Sequence, residues 1–149
     1  MRVPLTAQVA YLALFASVVA CSTDPLSDGY RARELARNRT RWQSAAIGSY
    51  QFKSTKNCFC GFAGDADVTV RNGQVIRVVQ RRDGTEEPTQ SRGTIDGLFV
   101  FVQLQLEQDP SHLRVTYDPV LGFPRTLFFG TPENDGGGSF GADSVVVIP

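Results

Sequence analysis

The chain reads as an α+β domain: an antiparallel sheet of about five to six strands with two helices packed on one face. Three observations predict it. Apolar residues recur at three- and four-residue steps in residues 32–46 and again in residues 95–108, the period of a helix with one buried face. Asn72-Gly73 joins two β-type runs, and both of its residues tolerate the positive φ of a type I′ hairpin turn. Short strand-like runs follow each helical stretch at close spacing, so neighbours in sequence pair antiparallel. The predicted order is αβββαβββ, a loose αβββ repeat without residue-level similarity between its halves.

The first elements precede the domain. Arg2 and the apolar run from Val3 to Ala20 have the positive start, apolar core and small-residue end of a secretory signal. A cysteine just past such an end, Cys21, points to a bacterial lipoprotein whose thiol is acylated and becomes the new N-terminus. An uncleaved membrane helix is the competing reading, because the run is long enough to span. Thr6 and Gln8 interrupt its start, and Ser17 and Ala20 precede Cys21, which argues for cleavage. The expected organisation is a signal peptide at 1–20, a tether at 21–27 and one α+β domain at 28–149. The expected location is the bacterial cell envelope, anchored to a membrane through lipid. Ser22 beside Cys21 favours the outer membrane, facing the periplasm, where the host has one.

Within the domain, Ser27 or Asp28 caps a helix running to about Ala46, with Ala32, Leu35, Trp42 and Ala46 on one face and Gly48 as its stop. Residues 50–54 alternate as a half-buried strand, and residues 67–71 and 74–80 form the hairpin. Residues 82–92 are polar and read as a loop. Residues 95–108 fit a helix capped by Thr94, although Leu98, Val100, Val102, Leu104 and Leu106 also alternate as a strand would. Fourteen residues are long for a strand, which favours the helix. Residues 113–117 and 125–129 are strands around the turn Asp118–Pro124. A glycine-rich mobile segment spans 131–141, and residues 144–148 form a last strand.

Hydrophobic content of 42% with ten Phe supports a packed core rather than a disordered spacer. Without Arg2 the chain holds 14 basic and 15 acidic residues, so no bulk charge recommends nucleic acid as a partner.

Several residues carry candidate chemistry. With Cys21 given to lipid, Cys58 and Cys60 remain as an even pair in an exported chain, open to a structural disulfide, a redox pair or two metal ligands. Metal is the weakest reading, since zinc wants about four ligands and His112 is the only histidine. Any Ser–His or Cys–His nucleophile would need that same His112, which otherwise is a solvated turn residue. Asp65 and Asp67 share a strand face, as paired carboxylates or as a plain solvated strand start. Residues 133–143 superficially suggest calcium, but the glycine–aspartate spacing does not match. Arg31, Arg33, Arg37, Arg39 and Arg41 make the first helix basic, either as a solvated face or as a patch for anionic headgroups. Leu121 and Phe123, at the tip of a rigid turn, are a candidate partner contact. No cofactor is expected.

Trp42, Tyr50-x-Phe52, Cys58-x-Cys60, Val70 to Val75, Thr94-Ile95-Asp96-x-Leu98-Phe99, Tyr117-Asp118-Pro119-x-x-Gly122-x-Pro124 and a late Asp143 occur in this order. Together they resemble a family of uncharacterised bacterial lipoproteins, domain of unknown function 6174. The resemblance implies an exported, anchored α+β domain and carries no activity with it. The functional expectation is therefore a non-catalytic binding or structural module that touches the membrane through its anchor and an envelope protein as partner. A thiol redox or metal-handling protein built on Cys58 and Cys60 is the alternative.

Overall fold

A computed structural model describes residues 28–108, 110–130 and 137–149. The chain runs α1 (Asp28–Ser44), β1 (Tyr50–Asn57), β2 (Gly64–Arg71), β3 (Gln74–Gln80), β4 (Glu86–Glu87), α2 (Ile95–Gln108), β5 (Arg114–Tyr117), β6 (Pro124–Phe129) and β7 (Gly138–Val147). All neighbouring strands pair antiparallel, in one seven-stranded sheet of order β4-β3-β2-β1-β7-β6-β5. The α+β class holds, but the sheet has more strands than expected. The extra one, β4, is two residues long and lies in the segment read as a loop.

The strands alternate as their side chains require. On β1, Tyr50, Phe52 and Ser54 are buried while Gln51 faces water; on β2, Ala66, Val68 and Val70 are buried. Both helices supply the other wall of this core. From α1 come Leu35, Asn38 and Trp42, and from α2 come Ile95, Phe99 and Val102, in each case at three- and four-residue steps. Ala32 and Ala46, placed on the buried face of α1 by the sequence reading, are exposed. Asn38 stands between Leu35 and Trp42 instead, its side-chain amide donating to the Glu34 carbonyl at 2.9 Å. The helix also ends earlier, with Ala46 at φ 50° turning the chain before Gly48 is reached.

Thr94 caps α2 as expected: its Oγ1 accepts from the Gly97 amide at 3.1 Å. The Tyr50 hydroxyl accepts from the Ile95 amide at 3.0 Å, satisfying another free donor of the first turn. Burial pushes that phenol up to about 12, with the Ile95 amide acting the other way. Trp42 meets the ring of Tyr50 edge-on at 5.3 Å and donates from Nε1 to Asp96 at 3.4 Å, so one aromatic pair ties both helices to β1. The strand reading of 95–108 fails because Val100 and Leu104 point outward, as a helix requires.

The largest departure is β7. It begins at Gly138, inside the segment expected to be mobile, and lies in the middle of the sheet between β1 and β6. Gly141 sits under the Arg125 carbonyl with no room for a Cβ, and a Cβ on Gly138 would lie 2.8 Å from the Phe129 ring. These glycines permit close strand approach rather than mobility. Gln51 pairs with Val146 and Lys53 with Asp143, so a bulge falls at Ser144, whose φ is 54°. One face of the sheet is thus covered by helices. The other is open and polar, crossed by the ion pairs Lys53–Asp65 at 3.1 Å, Arg81–Asp67 at 3.6 Å and Arg125–Asp143 at 3.3 Å.

Candidate functional site

Between β1 and β2 the chain makes a loop of residues 58–63, closed on itself by a Cys58–Cys60 disulfide with Cα atoms 5.2 Å apart. Phe59 lies between the two cysteines in sequence and is 93% exposed. Phe62, at φ 61°, is partly exposed too, and Gly64 at φ 103° returns the chain to β2.

The loop is pinned from below by a buried ion pair. Arg92 and Glu87 side chains are each 1% exposed, with Arg92 Nη2 at 3.0 Å and Nε at 3.1 Å from the two carboxylate oxygens. Two more guanidinium donors go to the loop and its exit into β2: Nη2 donates to the Phe62 carbonyl at 2.7 Å and Nη1 to the Gly64 carbonyl at 3.0 Å. Ser91 donates to Glu87 at 2.6 Å. Burial by itself would raise the Glu87 carboxyl, but the hydrogen bonds from Arg92 and Ser91 outweigh it and hold the group below its ordinary value. Lys56, at the end of β1, adds donors from Nζ to the Gly61 carbonyl at 3.1 Å and the Ser91 carbonyl at 3.3 Å. The polar segment 87–92, just before α2, and Lys56 of β1 therefore hold one exposed aromatic loop in place. Chemically, the arrangement offers a rigid apolar contact and a solvent-accessible disulfide.

The other anticipated residues fall elsewhere. Cys21 lies outside the described residues, as do the segments expected to be a signal peptide and a tether. Phe123 is not at an exposed tip: it is 3% exposed and packs edge-on against Trp42 at 6.2 Å. Leu121 is half-buried, and Val120, 74% exposed, holds the outward position instead. The reason is the fit of the turn against α1. Asp118 Oδ1 accepts from the Val120 and Leu121 amides at 2.9 and 2.7 Å, and Gly122 at φ 79° lies over the Asn38 carbonyl. Arg41 donates to the Pro119 carbonyl at 3.3 Å.

Asp65 and Asp67 share the open face, and each has a cation of its own. The Thr55 hydroxyl at 2.8 Å, then Lys53, holds the Asp65 carboxyl below its ordinary value. His112 ends an exposed turn with Nδ1 3.1 Å from Ser111 Oγ. Among the described residues no group of three or more His, Cys, Asp or Glu gathers as metal ligands. Of the α1 arginines, Arg39 lies over the Phe99 ring at 5.8 Å, while Arg33 and Arg37 are exposed.

Sequence reasoning missed Glu87, Arg92 and Lys56. All three are charged residues in polar stretches, and only tertiary contact distinguishes them from solvated ones.

Fold and loop together define a two-layer α+β domain whose most developed feature is a disulfide-closed, arginine-pinned loop. The chain belongs to a family of unknown function (DUF6174), whose model it matches over residues 34–135. No curated protein and no solved structure matches the chain. The match covers Trp42, the cysteine pair and the Asp118–Pro124 turn, and within the domain these form the α1 packing site and the pinned loop.

Proposed function

We propose that the chain is a lipid-anchored protein of the bacterial cell envelope whose domain acts by binding rather than by catalysis, with the disulfide loop as its contact surface. The observation that carries this reading is Phe59, 93% exposed on a loop that a disulfide and a buried arginine hold in place. A large ring held out in water is the kind of anchor that protein contacts use, and a loop already ordered loses little entropy on binding.

The anchor reading rests on Cys21 after its apolar run. Seven residues of extended chain from Cys21 to Asp28 reach roughly 24 Å, so acylation would keep the start of α1 near the membrane. The loop lies at that same end of the sheet. Asn57, Ser139, Phe128 and Arg114 form one row across β1, β7, β6 and β5, and Arg31 of α1 shares a pocket with Arg114. The anchored domain therefore turns its loop toward components of the membrane surface. Exposed Arg33 and Arg37 add attraction to anionic headgroups, about 1 kcal/mol each.

Two measurements test this. Cys21→Ser should move the protein out of the membrane fraction; unchanged membrane association would remove the lipid anchor. A photo-crosslinking residue at position 59 should give a discrete protein adduct in cells, and one at exposed Gln43 should not. Equal labelling from both positions, or none from 59, would remove the loop as contact surface.

The bonded state of Cys58 and Cys60 favours a second reading, a thiol redox pair open to solvent. Redox titration separates the two. Cycling within the range of cellular thiol buffers supports redox work, whereas a bond stable below about −300 mV is structural.

A further inference from the structure

A pocket of about 230 Å³ opens between the core side of β1 and the first turns of α2, beside the base of the disulfide loop. Phe52, Leu98, Phe101 and Phe140 form its apolar walls. The Phe101 and Phe140 rings meet edge-on at 5.2 Å, and Phe129 touches both at the same distance, which stiffens that wall.

The polar end is a cation. Lys56 lines the pocket, half-buried, and its ammonium has three donors. Two of these go to the carbonyls of Gly61 and Ser91, which are neutral. Among the described residues the ion pairs engage Lys53, Arg77, Arg81, Arg82, Arg92 and Arg125 but not Lys56. Arg92 also reaches the pocket, but Glu87 matches its charge. One positive charge is therefore left uncompensated at the mouth of an aromatic-walled cavity, and a partly desolvated charge gains most from an opposite charge brought beside it. An apolar cavity of about 150 Å³ takes up benzene, so this one has room for one ring, or a short alkyl chain, with a small head group.

We propose that this pocket binds a small amphiphilic monocarboxylate, its ring or chain between Leu98, Phe101 and Phe140 and its carboxylate on Lys56. The proposal goes beyond the contact role of the loop and does not depend on it. It also gives the Lys56 and Arg92 contacts a second consequence: the residues that pin the loop form the polar rim of the pocket.

The test uses the full chain in lipid nanodiscs, with empty nanodiscs as the blank. Phenylacetate, 2-phenylethanol and phenethylamine present nearly the same ring with a negative, neutral and positive head. Ligand-observed NMR titration should show saturable binding of phenylacetate, binding of the alcohol about ten-fold weaker or worse, and none of the amine. Lys56→Met should lower phenylacetate to the level of the alcohol, and Lys56→Arg should keep most of the affinity. Leu98→Trp, which fills the pocket and leaves Lys56 in place, should abolish binding while thiol titration still finds Cys58 and Cys60 bonded. Equal binding of the three probes would overturn the proposal. So would affinity unchanged in both Lys56→Met and Leu98→Trp, or no saturation by about 10 mM phenylacetate.

Discussion

Replacing Arg92 by Leu removes the cation of the buried pair and leaves the Glu87 carboxylate with only neutral donors, the Ser91 and Gln80 side chains. Both side chains are 1% exposed, so water does not replace what is lost. Breaking a buried pair from one side costs about 3–5 kcal/mol. For a domain of this size that corresponds to a melting temperature lower by roughly 10–20 °C at pH 7. The pH dependence makes the reasoning specific. In the native protein the Glu87 carboxyl is held below its ordinary value of 4.5, so its contribution to stability is fully present above that value and is lost as pH falls through the lower folded one. In Arg92→Leu the charge and hydrogen bonds of the guanidinium are gone, and desolvation, the largest single influence on the carboxyl, moves it up against the weaker pull of Ser91 and Gln80. The variant's deficit should then shrink as pH falls and Glu87 becomes neutral. Calorimetry of both proteins between pH 7 and pH 3 measures this. Glu87→Leu combined with Arg92→Leu should recover much of the loss, because no buried charge is then left unpaired. A melting temperature within about 3 °C of the parent at pH 7, or a deficit that grows toward acid, would refute the account. Loss of the Arg92 bonds to the Phe62 and Gly64 carbonyls should also speed amide exchange in residues 58–64.

Two further outcomes follow from the α1 and α2 contacts. Gly122→Ala should cost about 2–4 kcal/mol in chemical denaturation, because φ is 79° and the new Cβ would fall 2.6 Å from the Asn38 carbonyl; a change under about 0.5 kcal/mol would mean that the turn moves freely off the helix. Tyr50→Phe should cost about 1–2 kcal/mol by leaving the Ile95 amide without its acceptor. In the parent, the raised phenol contributes stability fully below pH 10 and loses it as pH rises toward about 12; burial raises the Tyr117 phenol further still, so two tyrosines, Tyr50 and Tyr117, should be missing from the phenolate absorbance at pH 11.

Local chemistry was legible where local forces decide. Asn72-Gly73 turns the β2–β3 hairpin at φ 49° and 74°, Thr94 caps α2, and Trp42 anchors α1 because its neighbours leave it one apolar stripe. The Asp118–Pro124 turn was visible as a rigid unit, but the partner that its Phe123 fits, Trp42, is 81 residues away in sequence. Phe123, which looked free for another protein, packs instead on the chain's own helix.

The candidate site shows the same division. Cysteine spacing exposed the pair Cys58–Cys60 but not the loop's support, because Glu87 and Arg92 are ordinary charged residues until folding removes water from both. By itself the sequence determined the first helix, the hairpin, the α+β class and the position of Cys21, and favoured a helix over 95–108, since caps, turn dihedrals and periodicity act over a few residues. Tertiary structure alone decided that β7 enters the middle of the sheet, that its glycines serve close strand approach, and that one buried arginine pins an aromatic loop beside a cationic pocket. Strand order and burial depend on contacts between distant segments, whose loop-closure cost and packing gain no local window contains.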